Sequence, residues 1–95
     1  EDSFMKESAK KIFFSGRVQG VGFRYTSLRI AKRYSLAGYV KNLPDGRVEL
    51  YVQGPESDVE NCIEEISDQF LSNVRDKEAI DQPVSPQYDQ FRIVM

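Results

Sequence analysis

The 95-residue chain contains no histidine and no tryptophan, and only one cysteine, Cys62. Without histidine, imidazole acid-base catalysis, phosphohistidine chemistry, Ser-His and Cys-His nucleophile pairs and imidazole metal ligands are all excluded. A single cysteine cannot close an internal disulfide, so stability must come from packing, and a cytoplasmic setting is expected. There is no basic surplus either. Thirteen Lys and Arg face fifteen Asp and Glu, a net charge of -2. Broad affinity for nucleic acid or for an anionic membrane needs a cationic excess that displaces counterions, so neither partner is expected. No apolar run approaches the roughly 18 residues of a membrane span. Glu1 to Lys11 offer only Phe4, Met5 and Ala9 as apolar groups, so no signal peptide is expected. Met5 fits a natural start, which would leave residues 1–4 as a cloning remnant within a flexible lead-in over residues 1–10.

What the chain does have suits one small domain over residues 11–95. Hydrophobic residues make up 40 % of it, five tyrosines and six phenylalanines among them, enough for one core at this length. From Lys11 to Val18 apolar Ile12, Phe14 and Val18 alternate with Phe13, Ser15 and Arg17, the period of a strand. Phe23, Ile30, Ala31 and Tyr34 then share one side of a helical wheel opposite Arg29, Lys32 and Arg33, which predicts an amphipathic helix over Phe23 to Ser35. Ala37 to Asn42 and Arg47 to Gln53 read as strands joined by the turn Leu43-Pro44-Asp45-Gly46. Gly54-Pro55 opens a second helix, with Pro55 at the first position or Ser57 capping through a Ser57-x-x-Glu60 box, and with Val59, Cys62, Ile63, Ile66 and Phe70 on its apolar face. Ser72 to Gln87 has no clear period, and a short extended segment is expected near Val74 to Ile80. Asp89, Phe91, Ile93 and Met95 alternate with their neighbours as a closing strand. The order β-α-β-β-α-β with one-faced helices predicts an α+β ferredoxin-like sandwich, a mainly antiparallel sheet with both helices on one face. That architecture carries many unrelated activities, so function has to be argued from a site.

The candidate site is the segment Gly16-Arg17-Val18-Gln19-Gly20-Val21-Gly22-Phe23-Arg24, where a strand gives way to a helix. Glycines there let successive N–H groups converge, and the helix adds its unpaired amides and the positive end of its dipole, which together favour phosphate. Such loops more often serve only as tight turns, so the glycines alone decide nothing. The pattern is not a Walker loop, because no Lys-Ser/Thr pair follows, and it is not G-x-G-x-x-G, so no nucleotide is implied. No cysteine precedes the arginine, which excludes a cysteine phosphatase. Arg24 stands where its guanidinium can return to an anion in the loop and offer two parallel hydrogen bonds. Asn42 ends the strand entering the hairpin, and its neutral carboxamide can orient a water as well as stabilise a turn.

GRVQGVGFRY followed by GYVKNLPDGRVELYVQGP closely resembles the two signature segments of acylphosphatases. The likeness covers roughly Phe13 to Phe70, with Phe91-x-Ile93 afterwards. It differs at Tyr39, where tryptophan is frequent, and is loose over Ser72 to Gln87. The resemblance implies a ferredoxin-like fold and a phosphate cradle of backbone amides from Arg17, Val18, Gln19, Gly20, Val21, Gly22 and Phe23. It also implies that Arg24 binds the phosphate and that Asn42 positions the attacking water. The implied substrate is a small-molecule acyl phosphate and the implied product orthophosphate, with no metal and no cofactor; a monomer is expected, although the sequence leaves the oligomeric state open.

This sparse set suits such a reaction, because the leaving carboxylate has a conjugate acid of pKa roughly 4 and departs without a proton donor. The alternative is a catalytically silent ferredoxin-like module that binds a ligand or RNA. Gly20-Val21-Gly22-Phe23-Arg24-Tyr25 is superficially similar to the aromatic RNA-contact motif of RRM domains. That motif belongs on a sheet strand, however, whereas here it spans a loop and a helix start.

Overall fold

The alternation around Ile12 and Phe14 belongs to a longer strand than the sequence predicts. In the computed structural model, which describes residues 6–94, β1 runs Glu7–Gly16. Its first four residues are therefore not a flexible lead-in. Glu7 to Lys10 pair with Pro55 to Val52 on one side, Ala9 is buried, and Lys10 donates to Asp81 at 2.9 Å on the other. Main-chain pairing and one ion pair order a stretch with little apolar content, which periodicity cannot reveal. The proposed remnant at residues 1–4 and the last alternating residue, Met95, lie outside the described residues.

Six further elements follow: α1 (Phe23–Arg33), β2 (Ala37–Asn42), β3 (Val48–Pro55), α2 (Glu56–Gln69), β4 (Val74–Gln82) and β5 (Phe91–Ile93). The sheet order is β4-β1-β3-β2-β5. β1 pairs antiparallel with β3 and β4, β2 antiparallel with β3, and β5 parallel with β2. The first four strands are the expected mainly antiparallel ferredoxin-like sheet, and β5 extends it at the β2 edge. Among the described residues no helix is long and apolar enough to cross a membrane.

Period two on the strands meets period 3.6 on the helices in one core. Ile12 and Phe14 of β1, Val40 of β2 and Val48, Leu50 and Val52 of β3 pack with Phe23, Ile30 and Ala31 of α1 and Val59, Cys62 and Ile66 of α2. Phe23 packs between Phe14 and Phe70 with tilted rings, their centroids 4.9 and 4.5 Å away. Because Phe23 is the first residue of α1, this packing fixes where the helix begins relative to the sheet.

The helix ends differ in detail from expectation. α1 stops at Arg33 and the chain turns through Ser35 at φ 58, with Leu36 N–H donating to the Ala31 carbonyl. Ser57 does not cap α2; Pro55 holds the N-cap position, and Glu56 and Asp58 place negative charge against the N-terminal dipole. Phe70 sits at the C-cap of α2 and not on its helical face. β4 forms an edge over Val74–Gln82, and β5 is only three residues long. Residues 83–90 have no period because a side chain orders them: the Gln53 amide donates to the Ser85 and Tyr88 carbonyls and accepts from the Ser85 N–H. This draws Tyr88 onto Tyr51 and Tyr39, a three-ring cluster on the sheet face opposite the helices.

Candidate active site

The connection from β1 to α1 is built from one buried anchor and two left-handed glycines. Val18 is fully buried, while Gly20 and Gly22 take φ of 77 and 81, a region that residues with a Cβ avoid. Gly22 is the N-cap of α1, and its carbonyl accepts the first helical bond, from Thr26 N–H at 3.0 Å. The amides just before Thr26 thus have no helical carbonyl to bond. Among the described residues, the amides of Gly20, Val21, Gly22, Phe23 and Arg24 donate to no carbonyl of the chain. All of these residues but Val21 border a cavity of about 190 Å³, which is lined by Val18, Gly20, Gly22, Phe23, Arg24, Tyr25 and Asn42. A glycine can line a cavity only with backbone, so Gly20 and Gly22 present main-chain atoms to it. The volume is below the roughly 300–1,000 Å³ of pockets that enclose drug-sized ligands, and fits a small anion with a water beside it.

The charge of this cavity is local and positive although the chain is acidic overall. No acidic residue occupies the first turn of α1. The four ion pairs among the described residues join Lys10 to Asp81, Lys11 to Glu49, Arg33 to Glu65 and Arg47 to Asp45, leaving the Arg24 guanidinium uncommitted. The dipole of α1 and a free guanidinium therefore act on the same small volume.

Asn42 reaches the cavity from the sheet. It is the last residue of β2 and pairs with Val48 of β3. Its Oδ1 is buried and accepts no hydrogen bond from the protein. Since buried polar atoms are nearly always paired, this acceptor at the wall of an anion-sized cavity is free to take a hydrogen bond from a water or ligand there. Leu43 N–H donates to the Arg47 carbonyl at 2.8 Å and Gly46 N–H to the Leu43 carbonyl at 3.1 Å, closing the turn after Asn42. Asp45 accepts from the Arg47 backbone and side chain, and those bonds hold its carboxyl below the ordinary range.

Of the residues singled out in the sequence, Val18, Gly20, Gly22, Phe23, Arg24 and Asn42 meet at the cavity. Arg17 does not: its N–H donates to the Asn73 carbonyl at 2.9 Å and its carbonyl accepts from the Asn73 side chain, so its backbone belongs to the β1–β4 junction. Gln19 and Val21 are not on the cavity wall; the Gln19 side chain turns to the hairpin and Val21 packs against the core. Tyr25 was not singled out, yet it stands at the rim, 75 % exposed. Its place one residue after Arg24 in the first helical turn was the available signal. A larger hollow of about 380 Å³ lies beside Tyr39, Lys41 and Arg92 at the β2–β5 edge, without a helix N-terminus or left-handed loop to present amides.

The sequence model of the acylphosphatase family matches residues 10–93. The chain belongs to the acylphosphatase family. Relatives named acylphosphatase include one from Archaeoglobus fulgidus, 49 % identical over 67 residues, covering 70 % of this chain and 66 % of the relative. Another, from Bacillus subtilis, is 48 % identical over 56 residues, 59 % of this chain and 62 % of the relative. The matched parts thus span just under two thirds of either relative. Across the whole fold, the crystal structure of acylphosphatase from Bacillus subtilis superposes with a TM-score of 0.85 at 38 % identity, covering 93 % of this chain and 99 % of that one. The acylphosphatase resemblance read from the two signature segments therefore extends through β4 and β5.

Proposed function

We propose that this chain hydrolyses acyl phosphates to a carboxylate and orthophosphate at the cavity between the Gly20–Gly22 loop and Asn42. The observation that carries the reading is the meeting, in one anion-sized space, of uncommitted amides, an unpaired guanidinium and an unpartnered carboxamide oxygen. The amides and Arg24 hold the phosphoryl oxygens, where charge resides through a loose transition state. Asn42 Oδ1 accepts a proton-bearing bond from water and turns a lone pair toward phosphorus. Water attacks phosphorus, the bond from phosphorus to the acyl oxygen breaks, and its electron pair leaves on the carboxylate. At a leaving-group pKa of roughly 4 that departure needs neither a general acid nor a Lewis acid, so we expect activity without metal or cofactor. The Asn42 carboxamide is neutral and no base stands beside it in the proposed site, so the proton of the attacking water leaves with the phosphate. Neither side chain is a nucleophile, and no phosphoenzyme forms. The unpaired Cys62 and the small size suit a monomer in a reducing, cytoplasmic setting.

Hydrolysis of benzoyl phosphate in ¹⁸O-labelled water tests this course. The expected result is one labelled oxygen in orthophosphate and none in benzoate; label in benzoate would mean attack at the carbonyl and would overturn the mechanism.

A further inference from the structure

The cavity draws its parts from two elements far apart in sequence, and one side chain joins them. Gln19 lies in the loop that carries the glycines, and its amide nitrogen donates to the Leu43 carbonyl at 2.8 Å and to the Arg47 carbonyl at 2.9 Å. A primary amide has two N–H groups. Both are spent across 24 and 28 residues of chain, on the two carbonyls that flank the turn after Asn42. We propose that Gln19 is a positioning residue: its side chain clamps the β2–β3 turn to the phosphate loop and thereby sets where Asn42 holds the attacking water.

Two features make this more than a stabilising contact. The amide donors that would grip phosphate come from the loop and from the first turn of α1, which Val18 and Phe23 anchor to the core independently of Gln19. Phosphate binding therefore does not pass through the clamp. The distance from that anion to the Asn42 carboxamide does, because Leu43 is the residue after Asn42 and its carbonyl is one of the two that Gln19 holds. A misplacement of about 1 Å in a reacting group can lower a rate by about 100-fold without loss of ground-state binding. Both carbonyls also keep another donor, Gly46 N–H on Leu43 and Leu43 N–H on Arg47, so removing the Gln19 amide leaves the turn closed and the fold intact.

The inference rests on the acylphosphatase reading, and its test separates the two. Gln19→Leu, with benzoyl phosphate as substrate and inorganic phosphate as the binding probe, should lower kcat by about 10- to 100-fold while KM and phosphate affinity stay within about twofold. In an Asn42→Ala background the same substitution should lower kcat by less than about twofold, because a residue acting through Asn42 has nothing left to position. Amide exchange at Leu43 should accelerate about tenfold or more in Gln19→Leu, a readout independent of turnover. Unchanged kcat, equal loss of kcat and phosphate affinity, a full kcat loss in the Asn42→Ala background, or unchanged exchange at Leu43 would each overturn the clamp. A wild-type protein that does not hydrolyse benzoyl phosphate would instead overturn the catalytic reading, leaving the clamp to the exchange measurement.

Discussion

Asn42→Ala separates a working carboxamide from a structural one. The Asn42 side chain makes no hydrogen bond to the protein among the described residues, and its Oδ1 is buried. A buried acceptor without a partner is destabilising by about 1–3 kcal/mol, a range that applies in full only to a completely enclosed site. Asn42 as a residue is half-buried, so the lower end applies, and part of that is recovered by solvent. Truncation to alanine removes no protein hydrogen bond and no core packing. Stability should therefore stay the same or rise by up to about 1 kcal/mol, a shift in Tm of zero to about +8 °C for a domain of this size. Turnover should move the other way. Loss of one oriented polar group at a reacting centre lowers kcat by about 100- to 1,000-fold, equivalent to about 2.7–4 kcal/mol of barrier. Phosphate affinity should change by less than about twofold, since Asn42 addresses water and the amides and Arg24 address the anion. Thermal unfolding, benzoyl phosphate kinetics and phosphate titration on the one variant give all three numbers. A Tm lowered by more than about 4 °C together with intact kcat would show that Asn42 holds the turn and that the water-positioning argument is wrong.

Burial pushes the Cys62 thiol up to about 12, so in the folded protein it should stay protonated and resist a disulfide reagent at pH 8, reacting at once in denaturant; stoichiometric labelling of native protein would contradict its place in the core. The Asp45, Glu65 and Asp81 carboxyls are each held below their ordinary values, by Arg47, Arg33 and Lys10 in turn. Groups shifted this way stabilise the fold when ionised, so their contribution is complete above about pH 5 and is lost as pH falls further. With no histidine to titrate, Tm should be level from pH 5 to 8 and decline only below about 5, and a transition near pH 6.5 in a Tm-against-pH series would contradict this.

How far the sequence carries the structure differs by the kind of force involved. Elements that bury an apolar face were legible: Ile12 and Phe14 on β1, Ile30 and Ala31 on α1 and Val59, Cys62 and Ile66 on α2 all pack where their spacing places them. The cavity residues Gly20, Gly22, Arg24 and Asn42 were legible only through the resemblance of the two signature segments, because glycines before a helix and a polar residue at a strand end are as common in plain turns. What escaped was held by polar contacts between distant residues. The start of β1 depends on Pro55 and Asp81, residues 83–90 depend on Gln53, and the diversion of the Arg17 amide depends on Asn73. The resemblance implies the Gln19 backbone amide for the cradle and is silent on its side chain, which reaches the hairpin in a direction no periodicity encodes. The closing strand itself is short, Phe91–Ile93 paired with β2, with the Gln90 carbonyl and the Val94 N–H bonding β2 at its two ends.

The most direct measurement is the initial rate of benzoyl phosphate loss, followed by its absorbance, for the wild-type chain beside Arg24→Ala. The cradle requires clear turnover by the wild type and a fall in kcat/KM of about 1,000-fold or more when the guanidinium is removed. Equal rates for the two proteins, or a wild-type rate no faster than buffer, would contradict it.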